Sequence, residues 1–182
     1  RIGISTSDPY THIFAGAQIA APLYISLRQT MESRAPFKPP DRLYPGVDIK
    51  LRVMKESAYR PAIALGLQSA FGHKKTAGEF LALSKRYHDF DFTAGLGWGR
   101  YGTAAHIKNP LGHISDHFLK NRDILSEIPN GAENWFTGSH AGFFGGVEYY
   151  TPIKGLSLKF DYGADRYSAE KQSSDYNAPA PW

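Results

Sequence analysis

The sequence lacks cysteine, and it lacks any long run of apolar residues. Without cysteine the chain forms no disulfide, which fits a reduced cytosol and a bacterial envelope protein that avoids thiols equally well. No run approaches the roughly 18 apolar residues of a membrane helix, and this excludes helical spans. The mean hydropathy of −0.39 still leaves a membrane β-barrel open, because the strands of such a barrel are only half apolar.

The charged residues form no block of one sign. Lys and Arg number 21 against 17 Asp and Glu, for a net charge of +4, and the two signs are interspersed. Nucleic-acid binding therefore has no support, and we expect no nucleic-acid partner. The opening residues RIGISTSDPY contain neither an initiator methionine nor an apolar centre, so they do not form a signal peptide. We expect residues 1–182 to be a single internal or truncated segment of a longer protein.

What the sequence does contain is a two-residue alternation of apolar and polar side chains over almost its whole length. Alternation with this period is typical of β-strands that have two different faces, and no long amphipathic helix is predicted. The pattern predicts an all-β fold, an antiparallel meander. The predicted strands are His12–Arg28, Val47–Lys55, Tyr59–Gln68, Gly78–Tyr87, Asp89–Gly102, Trp135–Tyr150 and Leu156–Tyr162.

The fifth predicted strand, DFDFTAGLGWGRYG, shows that the polar faces are unusual. Its large apolar side chains alternate with aspartate, threonine and glycine. A strand that faces water normally carries long polar side chains on that side, whereas glycine weakens a strand. Glycine, small residues and charges of both signs are typical of a barrel interior. The strands are therefore predicted to form part of the wall of a transmembrane, outer-membrane β-barrel.

Three sets of residues follow from the predicted barrel wall. The side chains predicted to line the interior are Asp48, Lys50, Arg52, Arg60, Gln68, Asp89, Asp91, Thr93, Glu148, Lys159 and Asp161. The side chains predicted to face lipid are Ile63, Leu65, Phe90, Phe92, Leu96, Trp98, Phe143, Val147, Leu158 and Phe160. Aromatic residues near predicted strand ends would form girdles at the membrane interfaces; they are Tyr44, Tyr59, Tyr87, Trp98, Tyr101, Trp135, Tyr149, Tyr150 and Tyr162. For the charged interior residues, contact with sugars and mutual ion pairing are equal alternatives.

The predicted connections alternate between long and short. SRAPFKPPDRLYPG lies between the first two strands and residues 103–134 between the fifth and sixth, whereas the turns near 57–58, at His88 and at TPIKG are tight. Outer-membrane barrels have short periplasmic turns and longer extracellular loops. The alternation favours a barrel, because a soluble meander has no reason to place its long loops at one end.

Four blocks of the sequence resemble a known family. The blocks are PPDRLYPGVDIKLRVMKESAYRPAIALGLQSAFG, GEFLALSKRYHDFDFTAGLGWGRYG, NPLGHISDHF and WFTGSHAGFFGGVEYYTPIKGLSLKFDYGADRY. Together, from about Pro39 to Tyr167, they resemble the YjbH/GfcD-like family of outer-membrane β-barrel proteins associated with bacterial exopolysaccharide or capsule operons. The resemblance implies a longer chain, a location in the outer membrane, and export or surface organisation of polysaccharide. It implies as partners the lipid bilayer, polysaccharide and other envelope proteins, and it supplies no catalytic residues.

Two motifs have a catalytic or metal-binding interpretation. Asp89 and Asp91 lie two residues apart, about 6–7 Å along a strand, and could act as a glycosidase carboxylate pair; neighbouring basic residues favour a charge-balanced interior instead. His113 and His117 have zinc-ligand spacing if their segment is helical, but no third ligand or general base accompanies them, so we predict an ordinary loop. GLGWG lies inside a strand pattern and is not a nucleotide-binding loop.

Three functional hypotheses remain. The first is a membrane-embedded barrel segment that serves exopolysaccharide export as a conduit, scaffold or anchor. The second is a soluble all-β carbohydrate-binding module, and the third is an outer-membrane enzyme that acts on polysaccharide through Asp89 or Asp91. We favour the first, and we expect no enzymatic activity, no cofactor and no metal.

Overall fold

The computed structural model describes residues 1–7, 10–32, 42–123 and 129–166. The strands are β1 Ile2–Ser7, β2 Tyr10–Ala20, β3 Leu23–Glu32, β4 Arg42–Met54, β5 Ala62–His73, β6 Gly78–Tyr87, β7 Phe90–Gly99, β8 Ile107–Lys108, β9 Pro129–Asn130, β10 His140–Tyr150 and β11 Ser157–Tyr162. Short 3₁₀ helices are formed by Lys74–Thr76, Arg100–Gly102, Pro110–His113, Asp116–Leu119 and Ala132–Asn134. Within these described ranges, no helix is long and apolar enough to cross a membrane.

The strands form one antiparallel sheet. Its order is β1-β2-β3-β4-β5-β6-β7-β10-β11, and the two-residue strands β8 and β9 pair with β10 and β5. The nine strands on this path follow one another in chain order, and each is antiparallel to the next. This confirms the predicted all-β antiparallel meander. β1 and β11 are the two edges, so the sheet is open in the described residues.

The first predicted strand is wrong in its extent. His12–Arg28 is divided by a turn at Ala21–Pro22 into β2 and β3, because proline has no N–H for the ladder and fixes its own φ. The prediction also omits β1. Of the proline-rich connection, residues 33–41 lie outside the described residues, and β4 already begins at Arg42.

The hydrogen-bond register assigns the strand residues to two faces, because partners across a ladder point to the same side. We call one of them the outer face. In the described part of the chain, every exposed large apolar side chain that has a register partner lies on the outer face. These side chains are Ile2, Ile4, Ile13, Leu27, Leu43, Leu51, Phe71, Leu83, Tyr87, Phe90, Phe92, Phe143, Leu158, Phe160 and Tyr162.

The opposite, inner face lies on the concave side of the sheet. In a flat sheet, β2 and β7 would be five strand spacings apart, about 24 Å. Instead the guanidinium carbon of Arg100, directly after β7, lies 5.7 Å from the ring centre of Tyr10 at the start of β2. Arg100 also bonds Asp165, after β11, with Nε and Oδ2 2.6 Å apart. The sheet therefore curls strongly toward its inner face.

The two ends of the sheet differ in their connections. The two-residue turns Ala21–Pro22 and His88–Asp89 lie at one end, which we call the short-turn end. The two longest connections, 33–41 and 100–139, leave from the opposite, long-connection end. The two longest connections thus share one end, as the sequence predicts, but the predicted tight turn near 57–58 is a seven-residue connection, 55–61, which is longer than the connection 74–77 at the opposite end.

After Arg100 and Tyr101, which lie on the inner side, described parts of the connection 100–139 fold back over the outer face at the long-connection end. Arg122 Nη1 and Nη2 lie 2.6 and 2.8 Å from the carboxylate oxygens of Glu79, and the two side chains are 4% and 0% exposed. Trp98 Nε1 donates to Asn109 Oδ1 at 2.8 Å, and its ring meets Phe136 edge-on at 5.2 Å. Protein therefore covers this end of the outer face, and the exposed apolar band lies between it and the short-turn end.

Candidate functional site on the inner face

Aromatic rings on the inner face lie directly over glycines. Phe80 covers Gly66 and Phe144 covers Gly95, so that a Cβ at either glycine would collide with the ring above it. The rings of Phe80 and Phe144 meet edge-on with centroids 6.2 Å apart, and Tyr101 meets Phe80 at 6.0 Å. Glycine is required at these positions because a neighbouring strand's ring occupies the space that a side chain would need.

We expect Gly66→Ala to destabilise the protein by about 1–3 kcal/mol, because the new methyl group overpacks the site. The close atoms around this Cβ all belong to the Phe80 ring. The cost should therefore fall in a Phe80→Ala background, and a double-mutant cycle in urea unfolding measures this coupling. Gly163→Ala is the matched control, since a Cβ there meets nothing within 4 Å. Equal costs at the two glycines would contradict the packing explanation.

A buried ion pair occupies the inner side at the long-connection end. Lys75 Nζ lies 2.9 Å from Glu32 Oε2, and the side chains are 3% and 8% exposed. Tyr44 Oη donates to the same carboxylate at 2.6 Å. The ammonium group also lies 5.5 and 5.6 Å from the ring centres of Tyr44 and Tyr10. The opposite charge, the hydrogen bond and the two ring faces replace the water that both ions lose on burial.

A second polar cluster joins β3, β4 and β5. Asp48 Oδ1 accepts hydrogen bonds from Arg28 Nη2 at 2.5 Å and from the Ser69 backbone N–H at 2.9 Å. Ser69 has a φ of 46°, and the register between β4 and β5 shifts at this point. The resulting bulge turns a backbone donor toward the carboxylate.

The inner face of β6, β7, β10 and β11 lines an open trough of about 680 Å³. Polar and charged side chains line it toward the short-turn end, and Phe80, Phe144 and Tyr101 line it toward the long-connection end. Burial raises the pKa of Tyr101 to about 12, and its hydroxyl donates to Gln68 Oε1. The trough combines apolar ring surface with hydrogen-bonding groups, a combination suited to a sugar.

Most of the predicted interior residues lie on the inner face, some of them in the trough, and two lie in connections. The register puts these residues on the inner face: Asp48, Lys50, Arg52, Gln68, Asp91, Thr93, Glu148, Lys159 and Asp161. Of these, the trough brings together Asp91, Thr93, Glu148, Lys159 and Asp161. Arg60 and Asp89 lie instead in the exposed connections before β5 and β7, because each of these strands begins later than the alternation predicts.

The residues predicted to face lipid all share the outer face by register, but one of them is covered. Trp98 is 3% exposed under the connection 100–139, so it does not belong to the exposed surface. Three members of the predicted girdles also need correction, since Tyr44, Tyr101 and Tyr150 point to the inner side. At the short-turn end, Tyr87, Phe90 and Tyr149 do lie on the outer face.

Sequence reasoning missed the buried ion pairs. One of them could have been detected in the sequence, because Glu79 is a charged residue on the face of β6 that otherwise carries the apolar Leu81 and Leu83. Glu79 and its partner Arg122 are 43 residues apart in the sequence, and so are Glu32 and Lys75. No local pattern connects residues so far apart.

The zinc interpretation of His113 and His117 has no helix to support it. The two residues belong to separate 3₁₀ helices, Pro110–His113 and Asp116–Leu119, so the spacing of a continuous helix does not apply. Among the residues that the structure describes, no group of three His, Cys, Asp or Glu side chains is arranged to hold a metal ion.

Comparison with known proteins gives two matches. Over residues 1–182 the chain matches the family described as "YjbH: Exopolysaccharide biosynthesis protein YbjH". It is also 36% identical over 138 residues to the "Uncharacterized lipoprotein YjbH" of Escherichia coli (strain K12), which corresponds to 73% of this chain and 20% of that relative. The chain thus spans 20% of the length of this curated relative. No solved structure matches it.

Proposed function

Because the chain belongs to the YjbH family of exopolysaccharide biosynthesis proteins, we propose that it forms part of the wall of an outer-membrane β-barrel. The barrel serves the export or surface organisation of exopolysaccharide or capsule, as a conduit, scaffold or anchor and without catalysis. Its partners are the lipid bilayer, the polysaccharide and other envelope proteins. The name of the Escherichia coli relative, a lipoprotein, supports a location in the cell envelope.

The inverted polarity of the sheet is the observation that carries this proposal. On the outer face Phe160 is 71% and Phe92 is 47% exposed, whereas on the inner side the charged residues Glu32 and Lys75 are buried. In water, a broad exposed apolar face is unfavourable and rare. In a bilayer the same face is favourable, and the polar inner side is shielded from lipid.

The dimensions of the sheet support the same proposal. β2 to β7 and β10 contain 10 to 13 residues each, and a tilted transmembrane strand needs about 9–11. One cross-strand row on the outer face is entirely apolar; it consists of Leu23, Leu51, Leu65, Leu81, Leu96 and Phe143. Toward the short-turn end, the rings of Phe90 and Tyr149 stack at 4.7 Å, as in an interfacial girdle.

The two other hypotheses fit these features less well. A soluble carbohydrate-binding module would need something to cover the outer face. A glycosidase pair formed by Asp89 and Asp91 would need the two carboxylates on one strand face, but Asp89 lies in the turn before β7.

We expect the full-length protein to fractionate with outer membranes and to resist extraction by carbonate or urea. Deletion of its gene should lower the exopolysaccharide at the cell surface, and the wild-type gene should restore it. Recovery of the protein in the soluble periplasm would contradict the barrel, and normal surface polysaccharide after deletion would contradict the polysaccharide role.

A further inference from the structure

The trough has a floor of aromatic rings. Phe80, Phe144 and Tyr101 pack edge-on around the glycine-rich inner face of β5 to β10, and all three line the trough. Their ring faces are apolar, as is the C–H face of a pyranose, so contact between the two removes apolar surface from water. The floor is therefore suited to a sugar ring.

Two carboxylates without partners lie in the trough near the short-turn end. Asp91 and Glu148 are directly opposite each other across β7 and β10, an arrangement that is unfavourable for like charges. The basic residues beside them bond elsewhere: Arg86 lies over the Tyr150 ring at 4.6 Å, and Lys159 Nζ lies 3.2 Å from Asp161. Within the described ranges, neither Asp91 nor Glu148 makes a hydrogen bond or ion pair, so both are available to accept hydrogen bonds from a ligand.

Side chains cross the inner side at the long-connection end of the trough. Arg100 spans from the Tyr10 ring of β2 to Asp165 after β11, at 5.7 Å and 2.6 Å. Next to it, Gln68 accepts from Tyr101 and donates to the Thr76 carbonyl at 3.1 Å. Among the described residues, these groups join opposite parts of the curled sheet at this end of the trough.

From these three features we infer that the trough is a one-ended binding site for an oligosaccharide without acidic groups. The ligand enters from the short-turn end, and its hydroxyl groups donate hydrogen bonds to Asp91 and Glu148. Its inner end rests against the three aromatic rings. A polyanionic sugar is repelled by the two carboxylates. This inference rests on the proposed function and deepens it, because a site closed at one end holds a glycan as an anchor does and does not thread it as a conduit does.

Binding of two defined hexasaccharides by the full-length protein in lipid nanodiscs tests the ligand class. By calorimetry, a neutral glucose hexamer should bind about tenfold (about 1.4 kcal/mol) more tightly than a galacturonic acid hexamer, because the two carboxylates repel the acidic sugar. The double variant Asp91→Asn, Glu148→Gln should remove this preference, whereas Asp116→Asn, an exposed carboxylate on the connection 100–139, should keep it. Binding of neither hexamer, equal binding of both by the wild type, or an unchanged ratio in the double variant would overturn the inference.

Permeability tests the closed end. Vesicles that contain the wild-type protein should exclude the glucose hexamer in a swelling assay, and the double variant Arg100→Ala, Asp165→Ala should admit it. Rapid swelling with the wild type would overturn the inference. Fractionation of the same cells separates the two proposals: a protein absent from outer membranes contradicts the proposed function, whereas a correctly located protein that fails both assays contradicts the one-ended site alone.

Discussion

Leu96→Arg in the full-length protein is expected to cost about 2–4 kcal/mol, because arginine at the middle of the bilayer loses its hydration. Leu96 belongs to the wholly apolar row of the outer face, with Leu81 and Phe143 as its direct partners. The folded fraction recovered from outer membranes, measured by resistance to unfolding in detergent, should fall sharply.

Depth and face provide the controls for this substitution. Phe92→Arg should have a smaller effect, because an arginine there can direct its charge to the short-turn end. Lys85, its partner in the same row, already does so: its ammonium group bonds the Ser57 and Ala58 carbonyls. Thr93→Arg, on the inner face and in the trough, should be tolerated. If the outer face were in water, Phe92→Arg at a 47% exposed site would change stability by only about 0.5 kcal/mol. Equal damage from Leu96→Arg and Thr93→Arg would contradict the assignment of the faces.

Arg122→Met is expected to destabilise the protein by about 3–5 kcal/mol, because it leaves the carboxylate of Glu79 buried without its counter-ion. Glu79 is 0% exposed, and without Arg122 its one remaining hydrogen-bond donor among the described residues is the Phe136 N–H, at 3.1 Å. The connection 100–139 should then loosen from the outer face, and limited proteolysis should cut within it at a higher rate than in the wild type.

Two variants separate the charge effect from a general loss of packing. In the double variant Glu79→Gln, Arg122→Met no unpaired charge is buried, so most of the lost stability should return. Lys159→Met breaks the exposed pair with Asp161, whose side chains are 61% and 63% exposed, and should change stability by at most about 1 kcal/mol. A double variant as unstable as Arg122→Met would show that the ion pair is not the source of the effect.

Most of the sheet can be predicted from the sequence, because alternation is a local property of the chain. β6 has the predicted bounds, and β7, β10 and β11 begin or end within a few residues of them. The errors occur where a non-local or backbone effect outweighs the alternation. Pro22 ends a strand that the apolar pattern continues, and Trp98 keeps its predicted face but is covered by a connection from later in the chain.

The candidate site is less accessible to sequence reasoning. The glycines of DFDFTAGLGWGRYG indicate an unusual inner face, but the reason for Gly95 is the ring of Phe144, which reaches it from β10. Likewise Asp91 pairs in sequence with Asp89, whereas in the sheet its neighbour is Glu148. Which side chains meet depends on the register between strands that are far apart in the chain.

By itself, the sequence determined the all-β class, the two contrasting faces of the strands and the family to which the chain belongs. These depend on residue type and spacing, which are local. The tertiary structure alone decided the curl of the sheet, the buried pairs Glu32–Lys75 and Glu79–Arg122, the covering of Trp98 and the contacts of Arg100 across the inner side. Each of these joins residues from separate strands, and only the packing of the folded chain brings such residues within the few ångströms at which charge, hydrogen bonding and ring contact act.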